Sequence, residues 1–174
     1  DTLDISLKNE FLPFLYPNQY VNFTPDSESS KLALSIVSED TSDVDALQAI
    51  YNYVVENLTY DYDLADTVES GYIPDVDATL QSKKGICFDY AALTTAMLRA
   101  RDIPCKLQIG YAGTVKHAWI NVYIRSKGWV DKAVEFSGDS WSRMDPTFDS
   151  NSQDAETIQQ YIGDDDNYSV QFTR

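Results

Sequence analysis

The stretch KKGICFDYAALTTAMLRARDIPCKLQIGY, Lys83 to Tyr111, changes its hydrophobic period partway along, and that change sets the fold class. A helix starts near Cys87 and runs through AALTTAMLRA to about Arg101, with Pro104 ending it. From Cys105 the pattern alternates, so Cys105–Tyr111 reads as a strand. Next comes HAWINVYI, His117–Ile124, a second strand. It sets His117, Trp119, Asn121 and Tyr123 on one side and Ala118, Ile120, Val122 and Ile124 on the other. Further strands are expected at Gly128–Val134 and Ser140–Asp145. Beyond them lie a short amphipathic segment near 155–162, an acidic turn at Asp164–Asp166 and an edge strand at Tyr168–Phe172.

Upstream the pattern is helical. In TSDVDALQAIYNYVVENL, Ser42 can cap a helix, with Asp45 three residues on in the capping-box position. Val44, Leu47, Ile50, Tyr51, Val54, Val55 and Leu58 then share one face. A shorter helix is expected at 29–38. Residues 60–82 lack sustained periodicity and include Gly71 and Pro74, which predicts a long surface loop of the kind that often carries function. Residues 1–30 hold Pro13, Pro17 and Pro25 among aromatics and read as an arm packed on one domain, 31–174. Helices first and an antiparallel sheet after them make an α+β fold.

At 174 residues, 43% hydrophobic and 13% aromatic, the chain can bury one real core. Its net charge of −15 disfavours nucleic acid and anionic membranes as partners, because binding phosphates needs lysine and arginine. The acidity suits solubility in an exposed environment, or attraction of a cationic substrate. No apolar run approaches the roughly 20 residues that cross a bilayer. The chain begins at Asp1 without an initiator Met, which suggests a mature or trimmed form.

The chemistry gathers on few residues. Cys87 opens the central helix, where unpaired backbone N–H groups and the positive end of the helix dipole favour a thiolate. Gly85 allows a tight backbone entry to that position. His117 is the one histidine of the chain, so any Cys–His chemistry must use it. Asp145 precedes Pro146 at the end of a strand, where its carboxylate could fix the imidazole tautomer. Each has a plainer reading: a buried small apolar residue, a structural histidine, a turn-forming Asp-Pro. Together, a nucleophile at a helix start, a base at the head of one strand and a carboxylate at the end of another make a workable triad.

GICFDYAALTTAMLRARDIPCKLQIGY, followed by HAWINVYI, GW and MDPTF, resembles the bacterial transglutaminase-like domain of the papain-like cysteine hydrolases. The likeness extends from about Ala33 to Phe148 and is greatest to secreted or lipid-anchored proteins of Gram-positive bacteria. It implies a Cys-bearing helix packed on an antiparallel sheet, with Cys87 as nucleophile, His117 as base and Asp145 as third member. It also implies an oxyanion site made of the Cys87 N–H and an upstream aromatic side chain, with Tyr60 as candidate and Tyr62 as alternative. Trp119 and Tyr62 are the candidate substrate contacts. Asp131, just after GWV, is the rival for the third place, and 132–144 read as an inserted strand and hairpin. Asp102 stands where the family usually has Gly before Ile-Pro, which bears on the helix end.

The expected function is therefore an extracytoplasmic cysteine peptidase, amidase or acyltransferase, secreted or anchored at the cell surface. Its substrate would be a peptide or protein, with cell-wall peptide among the natural classes. It would work as a monomer without cofactor or metal. Hydrolysis is favoured over transfer to an amine, since water is always available and no acceptor-lysine site is legible. The alternative is a non-catalytic binding or assembly module that kept the fold. Cys105 should be buried and unpaired, since a helix over 88–101 is about 20 Å long and a disulfide needs Cα atoms within about 7 Å. One histidine and two distant cysteines make no zinc site. Asp61, Asp63, Asp66 and Asp164–Asp166 read as solvated acidic surface.

Overall fold

The structure, a computed structural model, describes residues 9–112, 114–135 and 168–174. A 3₁₀ turn at Leu12–Phe14 leads to α1 (Glu28–Ile36), α2 (Asp43–Asn57), the short strand β1 (Thr59–Tyr60), α3 (Tyr62–Thr67) and α4 (Val76–Ser82). The short strand β2 (Lys84–Gly85) and α5 (Cys87–Arg99) follow. Then come β3 (Cys105–Ala112), β4 (Val115–Ile124), β5 (Gly128–Glu135) and β6 (Tyr168–Thr173). The last four form an antiparallel sheet in the order β5-β4-β3-β6, which puts β6 on an edge as expected. The fold is α+β.

Helix α5 is the centre of the molecule: every residue from Asp89 to Arg99 is buried. A helix enclosed on all sides needs partners all round. On one side lie Cys105, Leu107, Ala118, Ile120, Val122 and Ile124, the inner face of β3 and β4. On the other lie Ala33 and Val37 after α1, Leu47, Ile50 and Val54 of α2, and Val76 of α4. The alternation read from HAWINVYI therefore assigns its inner face correctly.

The helix ends follow local chemistry. The Ser42 hydroxyl accepts the Asp45 N–H at 3.2 Å and donates to its carboxylate at 2.7 Å. The shorter Asp side chain thus closes on the hydroxyl, where a Glu would close on the backbone. At the far end of α5, Ile103 N–H bonds the Leu98 carbonyl and Asp102 N–H the Arg99 carbonyl, the Schellman pattern. Asp102 takes the left-handed conformation this requires, with φ 55°, at the place where a Gly is usual.

Residues 60–82 correct the expected loop. Two short helices lie there, of six and seven residues, too short for a periodic pattern to show. Asp61 caps α3 by accepting the Leu64 N–H, and Asp75 caps α4 by accepting the Ala78 N–H. Those caps were the legible signal. The segment is also closed at its neck: β1 and β2 pair in parallel, Thr59 with Lys84 and Tyr60 with Gly85.

The arm packs on the outer sheet face, where Phe11 meets Tyr123 and Phe14 meets Trp129 edge-on. Lys106 stands over the Trp129 ring at 3.7 Å. The strand expected at Ser140–Asp145, the segment near 155–162 and the turn at Asp164–Asp166 lie outside the described residues.

Candidate active site

Cys87 is the first residue of α5 and is half-buried. Just before it, the β1–β2 ladder holds Tyr60 alongside Gly85, and the Asp61 N–H bonds the Gly85 carbonyl at 2.9 Å. That ladder brings the Tyr60 hydroxyl onto the first turn of α5. There it faces both the backbone N–H and the side chain of Cys87. Burial, then the charge of a Cys87 thiolate, push the Tyr60 phenol up to about 12. A phenol so raised stays protonated at working pH and remains an O–H donor. Tyr62 packs edge-on against Tyr60 with ring centroids 5.1 Å apart and is largely exposed.

Asp89, two residues after Cys87, is 1% exposed. Its Oδ2 accepts the Ile86 N–H at 2.8 Å and its Oδ1 accepts the Tyr72 hydroxyl at 2.7 Å. Ile86 has no side-chain acceptor, so only this half of a capping box is made. Burial raises the Asp89 pKa above the ordinary carboxylate value, against the opposing effect of these two bonds. Gly85 belongs to the same arrangement, for a reason other than the one expected from sequence. Among the described residues the glycines with positive φ are Gly71 and Gly128. At Gly85 the constraint is space: a Cβ there would stand 2.6 Å from the Asp89 Cβ.

His117 is 7% exposed and pairs across the strands with Gly110. Its position relative to Cys87 follows from the connection. Cys105, at the start of β3, donates its thiol to the Thr95 hydroxyl at 3.5 Å, and Arg99 holds the Cys105 carbonyl. Strand β3 therefore begins beside the last turns of α5 and runs back toward its start. Strand β4 reverses again, so His117, opposite Gly110, stands at the end of the sheet nearest the start of α5. The imidazole stacks near Trp119, at 6.3 Å and 20° between rings. Trp119 is 1% exposed and also meets Tyr168 edge-on. As placed, it backs the imidazole. Gly110 is required here, because a side chain would collide with the Ser169 carbonyl and press on Trp119.

Asp131 is placed elsewhere. Its carboxylate accepts a 2.7 Å bond from the Asn121 side-chain amide. Asn121 is four residues along β4 from His117, about 13 Å at strand rise. Asp145, the other reading, lies outside the described residues. Both cysteines are free, as the length of α5 requires. Cys105 is fully buried, and burial pushes its thiol up to about 11. Tyr72 and Asp89 were not singled out from sequence. An Asp at the third helical position was the available signal.

An α+β domain that seats a half-exposed thiol on the first turn of a buried helix, beside a tyrosine hydroxyl, has the build of a cysteine hydrolase or acyltransferase. Residues 30–146 match the transglutaminase-like superfamily, and the chain belongs to that superfamily. Over 74 residues it is 35% identical to UPF0252 protein MJ1282 of Methanocaldococcus jannaschii, covering 39% of this chain and 21% of that protein. A candidate cysteine protease from Cytophaga hutchinsonii superposes with a TM-score of 0.56 at 25% identity, over 76% of this chain and 43% of that one. For the periplasmic domain of TgpA from Pseudomonas aeruginosa the TM-score is 0.49 at 21% identity, over 64% of this chain and 45% of that one. The chain thus spans about a fifth of the archaeal relative and less than half of either solved structure. Among the described residues no helix is long and apolar enough to cross a membrane.

Proposed function

We propose that the chain is an extracytoplasmic cysteine hydrolase of peptide or protein amide bonds, with Cys87, His117 and Asp145 as nucleophile, base and orienting carboxylate. The observation that carries this reading is the Tyr60 hydroxyl standing beside the backbone N–H of Cys87. Two donors converge on the place where a carbonyl oxygen attacked by that thiol would gain negative charge. The Cys87 thiolate attacks the carbonyl carbon. Its oxygen becomes an oxyanion held by the Cys87 N–H and Tyr60 O–H, and His117 protonates the departing amine. Water, activated by the now neutral imidazole, then attacks the thioester and releases acid and free thiol. An amine in place of water would make the same acyl-enzyme a transferase. Substrate peptides, including cell-wall peptides, fit the exposed setting that the acidic composition suits.

Native alkylation with iodoacetamide tests the nucleophile. Cys87 should be labelled at pH 7 and below, Cys105 should not, and His117→Ala should slow Cys87 labelling by about tenfold or more at neutral pH. Labelling indifferent to His117 would instead mark a binding module that kept the fold. Peptide-library and muropeptide digestion then identify the substrate.

A further inference from the structure

Successive backbone amides at the start of α5 are sent to different acceptors. The Ile86 N–H goes to Asp89 Oδ2 at 2.8 Å, and the next, that of Cys87, lies beside the Tyr60 hydroxyl. Asp89 has no freedom to wander. It is 1% exposed, its Cβ fills the space a side chain at Gly85 would need, and its second oxygen is held by the Tyr72 hydroxyl at 2.7 Å. Tyr72 lies midway along the segment that leaves the site at Tyr60 and returns at Gly85. That segment is therefore fastened twice to the start of α5: at its neck by the β1–β2 ladder, and at its tip by Tyr72 on Asp89. The Tyr72 ring also packs edge-on against Phe88, the residue between Cys87 and Asp89, at 6.4 Å.

We propose that Asp89 and Tyr72 are positioning residues that aim the Cys87 N–H at the oxyanion by holding the Ile86 amide and the segment tip. This rests on the proposed oxyanion site and deepens it. Neither side chain touches the reacting atoms. If the Ile86 amide is released, the first turn of α5 frays and the Cys87 N–H loses its direction. The thiol itself stays in place and keeps its base. The clamp should therefore matter for reactions that pass through an oxyanion and not for those that do not.

Two probes separate these cases. Iodoacetamide alkylates Cys87 by displacement: the sulfur–carbon bond forms as iodide leaves, and no oxygen gains charge. With p-nitrophenyl acetate the thiolate adds to the carbonyl, an oxyanion forms, and p-nitrophenolate leaves as S-acetyl-Cys87 forms. For Tyr72→Phe the ratio of acylation to alkylation rate should fall about tenfold, and for Asp89→Asn by about 10- to 100-fold, with alkylation itself within about twofold of wild type. Gly85→Ala, which pushes on the Asp89 Cβ, should lower the same ratio. Melting temperature is followed for each variant, and Tyr72→Phe keeps its ring packing if Asp89→Asn folds poorly. An unchanged ratio in Tyr72→Phe and Gly85→Ala, or an equal fall in both reactions, overturns the clamp. If the wild type reacts with neither probe at Cys87, the proposed function itself is wrong.

Discussion

The chain's two cysteines stand at opposite ends of α5, one on its first turn and the other on the strand just beyond its last, and the two ends are built on opposite plans. At the start, Cys87 is half-exposed beside the Tyr60 hydroxyl and the Tyr72–Asp89 pair. At the far end, Cys105 is sealed, and next to it Arg99 is 2% exposed. The Arg99 guanidinium spans three carbonyls, those of Cys105, Tyr16 and Arg174, at 2.7 to 3.1 Å. It ties together the arm, the start of β3 and the end of β6. Burial lowers the Arg99 pKa, but an arginine has so much room above neutrality that it stays charged. One end of the helix is the proposed reactive site and the other is a fastener, and the surroundings make that difference, since the thiol is the same group in both.

The sharpest way to break this contrast is to exchange the cysteines' fates. Cys87→Ala should lower hydrolysis by about 10⁴-fold or more while leaving melting temperature nearly unchanged. Cys105→Ala should keep full activity and cost about 1 kcal/mol of stability, from lost packing at a site with no exposure. Activity assays and melting curves on both variants check this. Loss of activity in Cys105→Ala without loss of stability would erase the distinction.

Next in size is the fastener. Arg99→Met keeps much of the stem but withdraws the guanidinium from three backbone oxygens, of which that of Arg174 keeps the Leu107 N–H, in a region where Cys105 is fully buried. The expected cost is about 3 kcal/mol, or a fall of roughly 10 °C in melting temperature for a chain of this size. The rate per folded molecule should barely change. Tyr60→Phe is the mirror-image test at the other end. It removes one oxyanion donor and should lower kcat by about 100-fold, roughly 2.7 kcal/mol in the transition state. The fold should be nearly untouched. A destabilised Tyr60→Phe with normal kcat would assign that hydroxyl to the core.

The sequence spoke most clearly where period and position coincide. Helix α5 and the strands β3 and β4 are visible as a change from helical to alternating pattern, and β5 and β6 are expected as further strands. Cys87 and His117 stand out because one opens the helix and the other is the chain's sole histidine. What stayed hidden was the part of the site made by pairing distant segments. The β1–β2 ladder is two residues long on each side, and nothing in Thr59–Tyr60 alone points to Lys84–Gly85. Asp89 reads as an ordinary first-turn acid until its second oxygen is seen to hold Tyr72, 17 residues away in sequence. Trp119 shows the same limit: alternation sets its strand face, but only the structure shows Tyr168 and His117 packed against it.

The smallest expected effect concerns pH, and it too should come from one end of α5 alone. Asp89 has a folded-state pKa raised by burial above the value of 3.8 it has when unfolded. The folded protein therefore holds that proton to higher pH than the unfolded chain does. Its contribution to stability is complete below the unfolded value and is lost as pH rises through the folded one. Asp43 and Asp77 behave oppositely. Burial raises each, but Arg125 outweighs it for Asp43, and bonds from Ser29, Glu28 and Ser27 do so for Asp77. Their contributions persist above the unfolded value and fade only at lower pH, outside the window where Asp89 acts. Arg99 and the Cys105 thiol, held up to about 11, do not titrate between pH 4 and about 7. As pH is lowered from neutrality toward about 4, the wild type should thus gain stability relative to Asp89→Asn, while its difference from Arg99→Met stays flat. Melting curves of the three proteins across that range measure it. A slope shared by the Arg99 comparison would mean that acid sensitivity is spread through the fold, and the two ends of the helix would then differ in reactivity but not in how they respond to protons.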